Sequence, residues 1–153
     1  ARLNERLKSH SLFGTAHEQD NQPFLRIHFG TPSLEQSAQW AQNAEPYVIV
    51  REPSAGEISI GPLVLPHMTA CHRCAEIAMR ESGEFREALS GYDIPVAQSH
   101  LAAGFIADQV LRFIDTGTSE IVGAEITLDF LSPLHLHRRE IPRHPLCGCS
   151  FQE

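Results

Sequence analysis

The stretch FLRIHFGTPSLEQSAQWAQNAEPYVIV, residues 24–50, decides the fold of this chain. Residues 24–29 at its start and residues 47–50 at its end have the apolar, β-branched and aromatic composition of strands. Between them, Ser33 can cap a helix that we predict over residues 34–44. A strand, a helix and a strand at this spacing predict a βαβ crossover with parallel strand pairing.

The predicted helix has apolar residues at helical spacing, which indicate the stripe that it buries: Leu34, Ala38 and Ala41. Further along, residues 57–60 alternate between polar and apolar side chains, as a half-buried strand does. Gly61-Pro62 breaks that alternation, so the predicted strand stops at residue 60.

Two more helices are predicted in the second half of the chain. Residues 75–90 form a charged amphipathic helix, and residues 99–115 have apolar side chains around most of their circumference. The second helix is therefore expected to be central and nearly enclosed, with Ser99 as its N-cap and Gly117 as its terminator.

Strands and one short helix complete the prediction. Residues 119–130 and 134–141 alternate as two strands joined at Ser132-Pro133. Near the start of the chain, residues 2–10 have the leucine spacing of a short helix with one apolar face.

The four cysteines fall in two tight pairs, Cys71-His72-Arg73-Cys74 and Cys147-Gly148-Cys149. Both spacings let two thiolates face one ion at about 2.3 Å, and four sulfurs complete the tetrahedron that zinc prefers. The alternatives are two disulfides, or a redox-active C-x-x-C pair at a helix start. The sequence therefore predicts a structural zinc site with four ligands: Cys71, Cys74, Cys147 and Cys149. Such a site carries net negative charge, which Arg73, Arg143 and a helix N-terminus can offset.

Together these elements predict an α/β fold, in which a partial Rossmann-like βαβ unit precedes a zinc-stapled α/β region with a buried helix and antiparallel strands. We place the first segment at residues 1–52 and the zinc-binding region at residues 53–153. The length of 153 residues suits one compact domain, which we expect to be the C-terminal portion of a longer protein.

Charge and motif content exclude several classes of function. The formal charge of −7 argues against nucleic acid as a general partner, because no global basic field is present. No apolar run reaches the ~20 residues that cross a bilayer, and no signal peptide is evident, so we expect a cytoplasmic protein without a membrane partner. Glycine-rich phosphate loops and nucleophile-elbow motifs are missing from the sequence, so we assign no catalytic residue.

Histidines and a basic cluster leave alternatives open. His135 and His137 share one face of a predicted strand, where they form either a ligand pair or a polar outer face. Three further histidines are expected near the metal as hydrogen-bond donors rather than ligands: His67, His72 and His144.

The only basic concentration in this acidic sequence consists of Arg138, Arg139, Arg143 and His144. This cluster either binds an acidic segment of a partner, or it is a solvated strand end without a binding role.

Three motifs and one helix occur in a fixed order: Gly61-Pro62-Leu63-Val64-Leu65-Pro66, Cys71-His72-Arg73-Cys74, helix 99–115, and His144-Pro145-Leu146-Cys147-Gly148-Cys149. In this order, over roughly residues 23–149, the chain resembles the cyclodehydratase partner proteins of azole-forming ribosomal peptide biosynthesis, which includes thiazole/oxazole-modified microcins and other bacteriocins. Those proteins are similar in fold to the ThiF/MoeB, ubiquitin-activating-enzyme-like family, and two cysteine pairs of this kind hold their zinc.

The resemblance implies a non-catalytic scaffold subunit. Such a subunit grips a precursor peptide and delivers it to a YcaO-type cyclodehydratase, which uses ATP to convert Cys, Ser or Thr into azolines. It also implies a homodimer. Two alternatives are a ThiF/MoeB-like adenylating enzyme, whose nucleotide-binding half lies upstream or in another subunit, and a small zinc-binding protein-interaction module.

Overall fold

The computed structural model describes residues 25–85, 94–131 and 134–150, and within them one five-stranded sheet carries the fold. The strands, adjacent in chain order, are β1 Arg26–Phe29, β2 Tyr47–Arg51, β3 Glu57–Val64, β4 Ala124–Asp129 and β5 His135–Glu140. The helices in these ranges are α1 Leu34–Gln42, α2 His72–Ser82 and α3 Val96–Thr116, followed by a 3₁₀ turn at Gly148–Ser150. The predicted α/β class is confirmed.

The βαβ unit forms as the sequence predicts. Strands β1 and β2 pair in parallel, while the remaining neighbours pair antiparallel. Ser33 caps α1 through a capping box, in which its Oγ accepts the Gln36 N–H at 3.1 Å and the Gln36 side chain accepts the Ser33 N–H at 2.9 Å. The helix ends at Gln42, and Ala44, the predicted last residue, has a positive φ of 54°.

Helices cover both faces of the sheet. Successive residues of a strand point to opposite faces, so Val48 and Val50 pack with α3 while Tyr47 and Ile49 pack with Trp40 of α1. Helix α2 lies on the same side as α1, because its first residue, His72, contacts Tyr47. The cysteine pairs are therefore held on the α1 side of the sheet.

The predicted buried stripe of α1 is wrong. Leu34 is 60% exposed and Ala38 is exposed, whereas the buried residue of this helix is Trp40. Its indole contacts the rings of Tyr47 and His28 at centroid distances of 5.0 and 5.2 Å. The large aromatic side chain sets the rotation of the helix, because its burial removes more apolar area than two alanines do.

Helix α3 is not enclosed, contrary to the prediction. It buries one stripe against the sheet, made of Ala102, Ile106, Gln109 and Phe113. It leaves other apolar side chains in solvent, and Val96, for example, is 73% exposed. The reason is that only one layer packs against this helix among the described residues.

One predicted end of α3 is confirmed and the other is wrong. Gly117 ends the helix in the left-handed conformation, as expected. The helix begins at Val96 with Pro95 at the N-cap, so the predicted N-cap at Ser99 is wrong; Ser99 instead donates its hydroxyl to the Pro95 carbonyl.

Strand β3 continues through Gly61-Pro62 to Val64, so the predicted end of the strand at residue 60 is wrong. The register with β2 shifts between Val48 and Val50, where a bulge absorbs the irregularity. Neither Gly61 nor Pro62 has a register partner on β2, so the missing N–H of proline leaves that ladder intact.

Three boundaries also differ from the predictions. Helix α2 begins at His72 and ends at Ser82, where Gly83 caps it in the left-handed conformation, and β4 begins at Ala124 rather than at residue 119. The helix predicted at residues 2–10 and the Ser132-Pro133 junction lie outside the described residues.

An ion pair fastens the start of the βαβ unit and gives a testable pH dependence. Arg26 contacts Glu45 at 2.8 Å and Asn43 donates to the same carboxylate at 3.0 Å, so both hold the pKa of Glu45 below its ordinary value. We expect an Arg26→Gln variant to raise the Glu45 pKa, measured by carboxyl NMR titration. The stabilisation by this pair is present above the unfolded-state pKa and is lost as the pH falls through the folded-state pKa.

The matched control is Arg112→Gln, which removes an arginine from an exposed helix pair elsewhere. It should leave the Glu45 pKa unchanged. An unshifted Glu45 titration in the Arg26 variant would show that the ion pair does not set this pKa.

Candidate metal centre

The two cysteine pairs reach one point from different elements. Cys71 is the N-cap residue of α2 and Cys74 lies in its first turn, where the Cys74 N–H bonds the Cys71 carbonyl at 3.0 Å. Cys147 and Cys149 follow β5, where the Cys147 N–H closes a turn onto the His144 carbonyl at 3.0 Å and Cys149 lies in the 3₁₀ turn. The sequence places the pairs far apart, and the fold brings them together.

The four sulfur atoms form one cluster. The Sγ–Sγ distances are 3.8 Å for Cys71 and Cys74, 3.5 Å for Cys71 and Cys147, and 3.4 Å for Cys74 and Cys149. All four atoms lie within 4.8 Å of one another, and no disulfide joins them. A tetrahedral ion with Zn–S bonds of about 2.3 Å places its ligand sulfurs roughly 3.8 Å apart. The arrangement fits one tetrahedral ion.

Electrostatics among the thiols favour a cation. A hydrogen bond from Cys71 lowers the pKa of Cys74 to about 4, while the same contact and burial raise the pKa of Cys71. Burial also raises the pKa of Cys147 to about 11. Without added positive charge the cluster therefore retains protons near neutral pH. A divalent ion supplies the charge that four thiolates need, and an all-sulfur tetrahedral donor set suits a soft ion such as zinc.

The N-terminus of α2 supports negative charge at this point. Cys71 and Cys74 lie at the positive end of the helix dipole, as the sequence predicts for an offsetting group. A backbone hydrogen bond from His144 also lowers the pKa of the Cys74 thiol. Arg73 lies in the wall of a neighbouring groove, and Arg143 donates to the His67 carbonyl.

The three histidines expected near the metal have ring partners of their own. The His67 ring donates to the Ala41 carbonyl at 3.1 Å, and the His144 ring contacts a Glu81 carboxylate oxygen at 3.0 Å. His72 pairs with Tyr47. These hydrogen bonds hold the segments that carry the cysteines. The sequence instead predicts that the three rings donate hydrogen bonds near the metal.

Sequence reasoning missed the buried pair of Tyr47 and His72. Burial lowers the pKa of His72 to about 4 and raises the pKa of Tyr47, so both are neutral and the Tyr47 hydroxyl donates to His72 Nδ1 at 3.1 Å. The bond ties β2 to the first turn of α2, next to Cys71 and Cys74. Nothing in the sequence signals this pairing, because the two residues are 25 positions apart.

The basic concentration on β5 is largely neutralised within the chain. Arg138 contacts Glu120 and Glu140 at 3.5 and 3.1 Å, and Arg139 contacts two further carboxylates, Glu84 at 3.4 Å and Glu125 at 3.5 Å. These pairs leave little charge at Arg138 and Arg139 for an external acidic segment.

His135 and His137 line a cavity of about 430 Å³ on the sheet. Among the residues that the structure describes, the cysteine cluster is the only group of three or more His, Cys, Asp or Glu side chains that could hold one ion, so no third ligand joins these two histidines. The polar outer face is therefore the reading of these two histidines that the geometry favours.

Comparison with known proteins finds similarity in structure rather than in sequence. No protein-family model and no curated protein sequence matches the chain. The solved structures that match include E. coli MccB with ATP, at a TM-score of 0.62 and 15% identity over 89% of this chain and 42% of that one. E. coli MccB with MccA matches at a TM-score of 0.59 and 17% identity, over 88% and 40% of the two chains.

The chain shares its fold with MccB. A heterocyclase in complex with substrate and cofactor matches at a TM-score of 0.52 and 18% identity, over 83% of this chain and 20% of that one. The chain thus spans about two fifths of the MccB chains that it matches. Among the described residues, the helices are too short or too polar to cross a membrane.

Proposed function

We propose that Cys71, Cys74, Cys147 and Cys149 bind one zinc ion with a structural role. Three observations support this proposal: the Sγ–Sγ distances, the need of four thiolates for a compensating cation, and the position of Cys71 and Cys74 at the N-terminus of α2. Four protein ligands leave no open position, so this ion activates neither water nor substrate. Its role is to fasten the segment after β5 to the first turn of α2.

The chain acts as a scaffold subunit of an ATP-dependent, YcaO-type cyclodehydratase that forms azoline or azole heterocycles in a ribosomally made precursor peptide. The observation that carries this proposal is a closed four-cysteine cluster within a fold shared with a heterocyclase bound to its substrate and with MccB bound to MccA. In this proposal the protein is cytoplasmic and residues 53–153 form its zinc-binding region. No residue of the chain is catalytic.

A binding experiment tests the scaffold role. The zinc-loaded chain, immobilised, is expected to retain a YcaO-type cyclodehydratase and its precursor peptide, and the metal-free Cys74→Ser variant is expected to lose both. Retention is measured against a column that carries an unrelated zinc protein. If neither component is retained by the zinc-loaded chain, the scaffold proposal is wrong.

A second candidate is an adenylating enzyme of the ThiF/MoeB type, and the match to MccB with ATP favours it. Its nucleotide-binding half then lies upstream of this sequence or in another subunit. ATP–pyrophosphate exchange separates the two candidates, because only an adenylating enzyme returns label from pyrophosphate into ATP. Peptide-dependent exchange would replace the scaffold proposal.

The homodimer is also a proposal. The outward face of α3 supports it, because Val96 is 73% and Leu101 is 56% exposed there. Size-exclusion chromatography with light scattering distinguishes a dimer from a monomer directly.

A further inference from the structure

A groove between α1 and the cysteine cluster is the feature that the structural zinc site leaves unexplained. One wall is the apolar stripe of α1, made of Leu34, Ala38 and Ala41, and the opposite wall includes three cysteines of the cluster: Cys71, Cys147 and Cys149. We call this surface the α1 groove. The predicted buried stripe of α1 is not packed on the sheet, because its side chains face the α1 groove instead.

The size of the α1 groove limits what can occupy it. Its volume is about 250 Å³. Pockets for drug-sized ligands span about 300–1,000 Å³, so this groove suits one or two apolar side chains better than a nucleotide. Beside it, Met68 and Leu146 are each adjacent in sequence to a lining residue and are 76% and 77% exposed.

The charges at the groove are unusual for this chain. Six described arginines lie within 3.5 Å of a carboxylate: Arg26, Arg51, Arg80, Arg112, Arg138 and Arg139. Arg73, which lines the groove, has no carboxylate partner among the described residues, although the sequence is acidic overall. Among the described residues, Arg143 donates to the main-chain carbonyl of His67, itself a lining residue, and to no carboxylate. An apolar groove that is lined by Arg73 and bordered by Arg143, neither with a carboxylate partner among the described residues, complements an apolar side chain that lies beside a carboxylate.

We propose that the α1 groove docks a segment of a protein partner that carries an apolar side chain next to an acidic residue. A second copy of the chain fits less well, because a two-fold contact sets the same patch against itself and brings the two Arg73 side chains together. The proposal goes beyond the scaffold role. The docking proposal is the same whether the chain serves a cyclodehydratase or forms part of an adenylating enzyme.

Arg73 and Arg143 have a competing role as counter-charges to the metal cluster, and two readouts separate the roles. A counter-charge role predicts that Arg73→Gln lowers the zinc content or the melting temperature. A docking role predicts that both stay unchanged while partner binding weakens.

The test uses the full zinc-loaded chain and two fluorescein-labelled nine-residue peptides. Both peptides have a central Leu-Phe pair, flanked by Asp and Glu in one and by Lys in the other. Fluorescence anisotropy should detect binding of the acidic peptide only. Arg73→Gln and Leu34→Ser should each weaken it by about tenfold, the scale of one well-placed charge or apolar contact.

The matched controls carry the same substitutions away from the groove, Arg112→Gln on α3 and Leu136→Ser on β5, and should bind as the unmodified chain does. Equal affinity for the two peptides, equal loss in these control variants, or no binding at millimolar peptide would each overturn the proposal. Because this assay contains no cyclodehydratase, a failed YcaO-type pull-down with intact peptide binding would contradict the scaffold role alone.

Discussion

A Cys74→Ser variant is expected to lose its zinc and most of its folding stability. Cys74 is fully buried, and its sulfur lies within 3.8 Å of those of Cys71 and Cys149. Structural zinc in small sites contributes on the order of 10 kcal/mol to folding, which is comparable to the whole stability of a typical domain. The zinc content, measured by metal analysis, should fall from one ion per chain to none. The thermal unfolding midpoint should fall sharply, or the transition should disappear.

Leu146→Ser is the matched control for this experiment, because Leu146 is 77% exposed and precedes a cysteine of the cluster. This variant should keep its zinc and its melting temperature, while a strong chelator added to the unmodified chain should reproduce the Cys74 phenotype. A reduced, zinc-free preparation that melts as the zinc-loaded one does would refute the structural role of the metal. The zinc-based part of the family resemblance would fail with it.

A Glu125→Ala variant is expected to lower the free energy of unfolding by about 3–5 kcal/mol, because it leaves a buried guanidinium unpaired. Glu125 on β4 is 6% exposed and contacts Arg51 on β2 at 2.8 Å, across the intervening strand β3. Its second oxygen lies 3.5 Å from Arg139 on β5. One carboxylate thus links three of the five strands, and urea unfolding measures its effect.

The control for the Glu125 variant is Asp108→Ala, which breaks an exposed pair with Arg112. Exposed helix pairs contribute about 0.3–0.5 kcal/mol, so the two variants should differ several-fold. The double substitution Arg51→Met with Glu125→Leu should recover most of the loss, since apolar replacements remove the unpaired charge. Similar losses in the Asp108 and Glu125 variants would mean that the Arg51–Glu125 pair is not the buried anchor of the sheet.

Local chemistry explains the predictions that the structure confirms. The capping box at Ser33 depends on residues three positions apart, and the parallel pairing of β1 and β2 follows from the strand-helix-strand spacing. Clustering of the cysteines could be predicted because each short pair already forms half of a tetrahedral site. These features need little knowledge of distant parts of the chain.

The predictions that failed depend on what packs against a segment. The stripe of α1 and the circumference of α3 both have enough apolar residues to be buried, but the sheet accepts only one side of each helix. Strand β3 continues through Gly61-Pro62 because a bulge in its pairing with β2 leaves these residues without ladder partners. Neither outcome can be read from a pattern within one segment.

The sequence by itself determined the α/β class, the βαβ unit and the set of four cysteines, because each follows from residues close together or from the chemistry of one residue type. Only the tertiary structure decided that Trp40 and not Leu34 is buried, that Tyr47 meets His72, and that Glu125 meets Arg51. It also decided that an apolar groove lined by Arg73 borders the cysteine cluster. The physical reason is that burial and ion pairing depend on neighbours from distant parts of the chain, and folding alone brings those neighbours into contact.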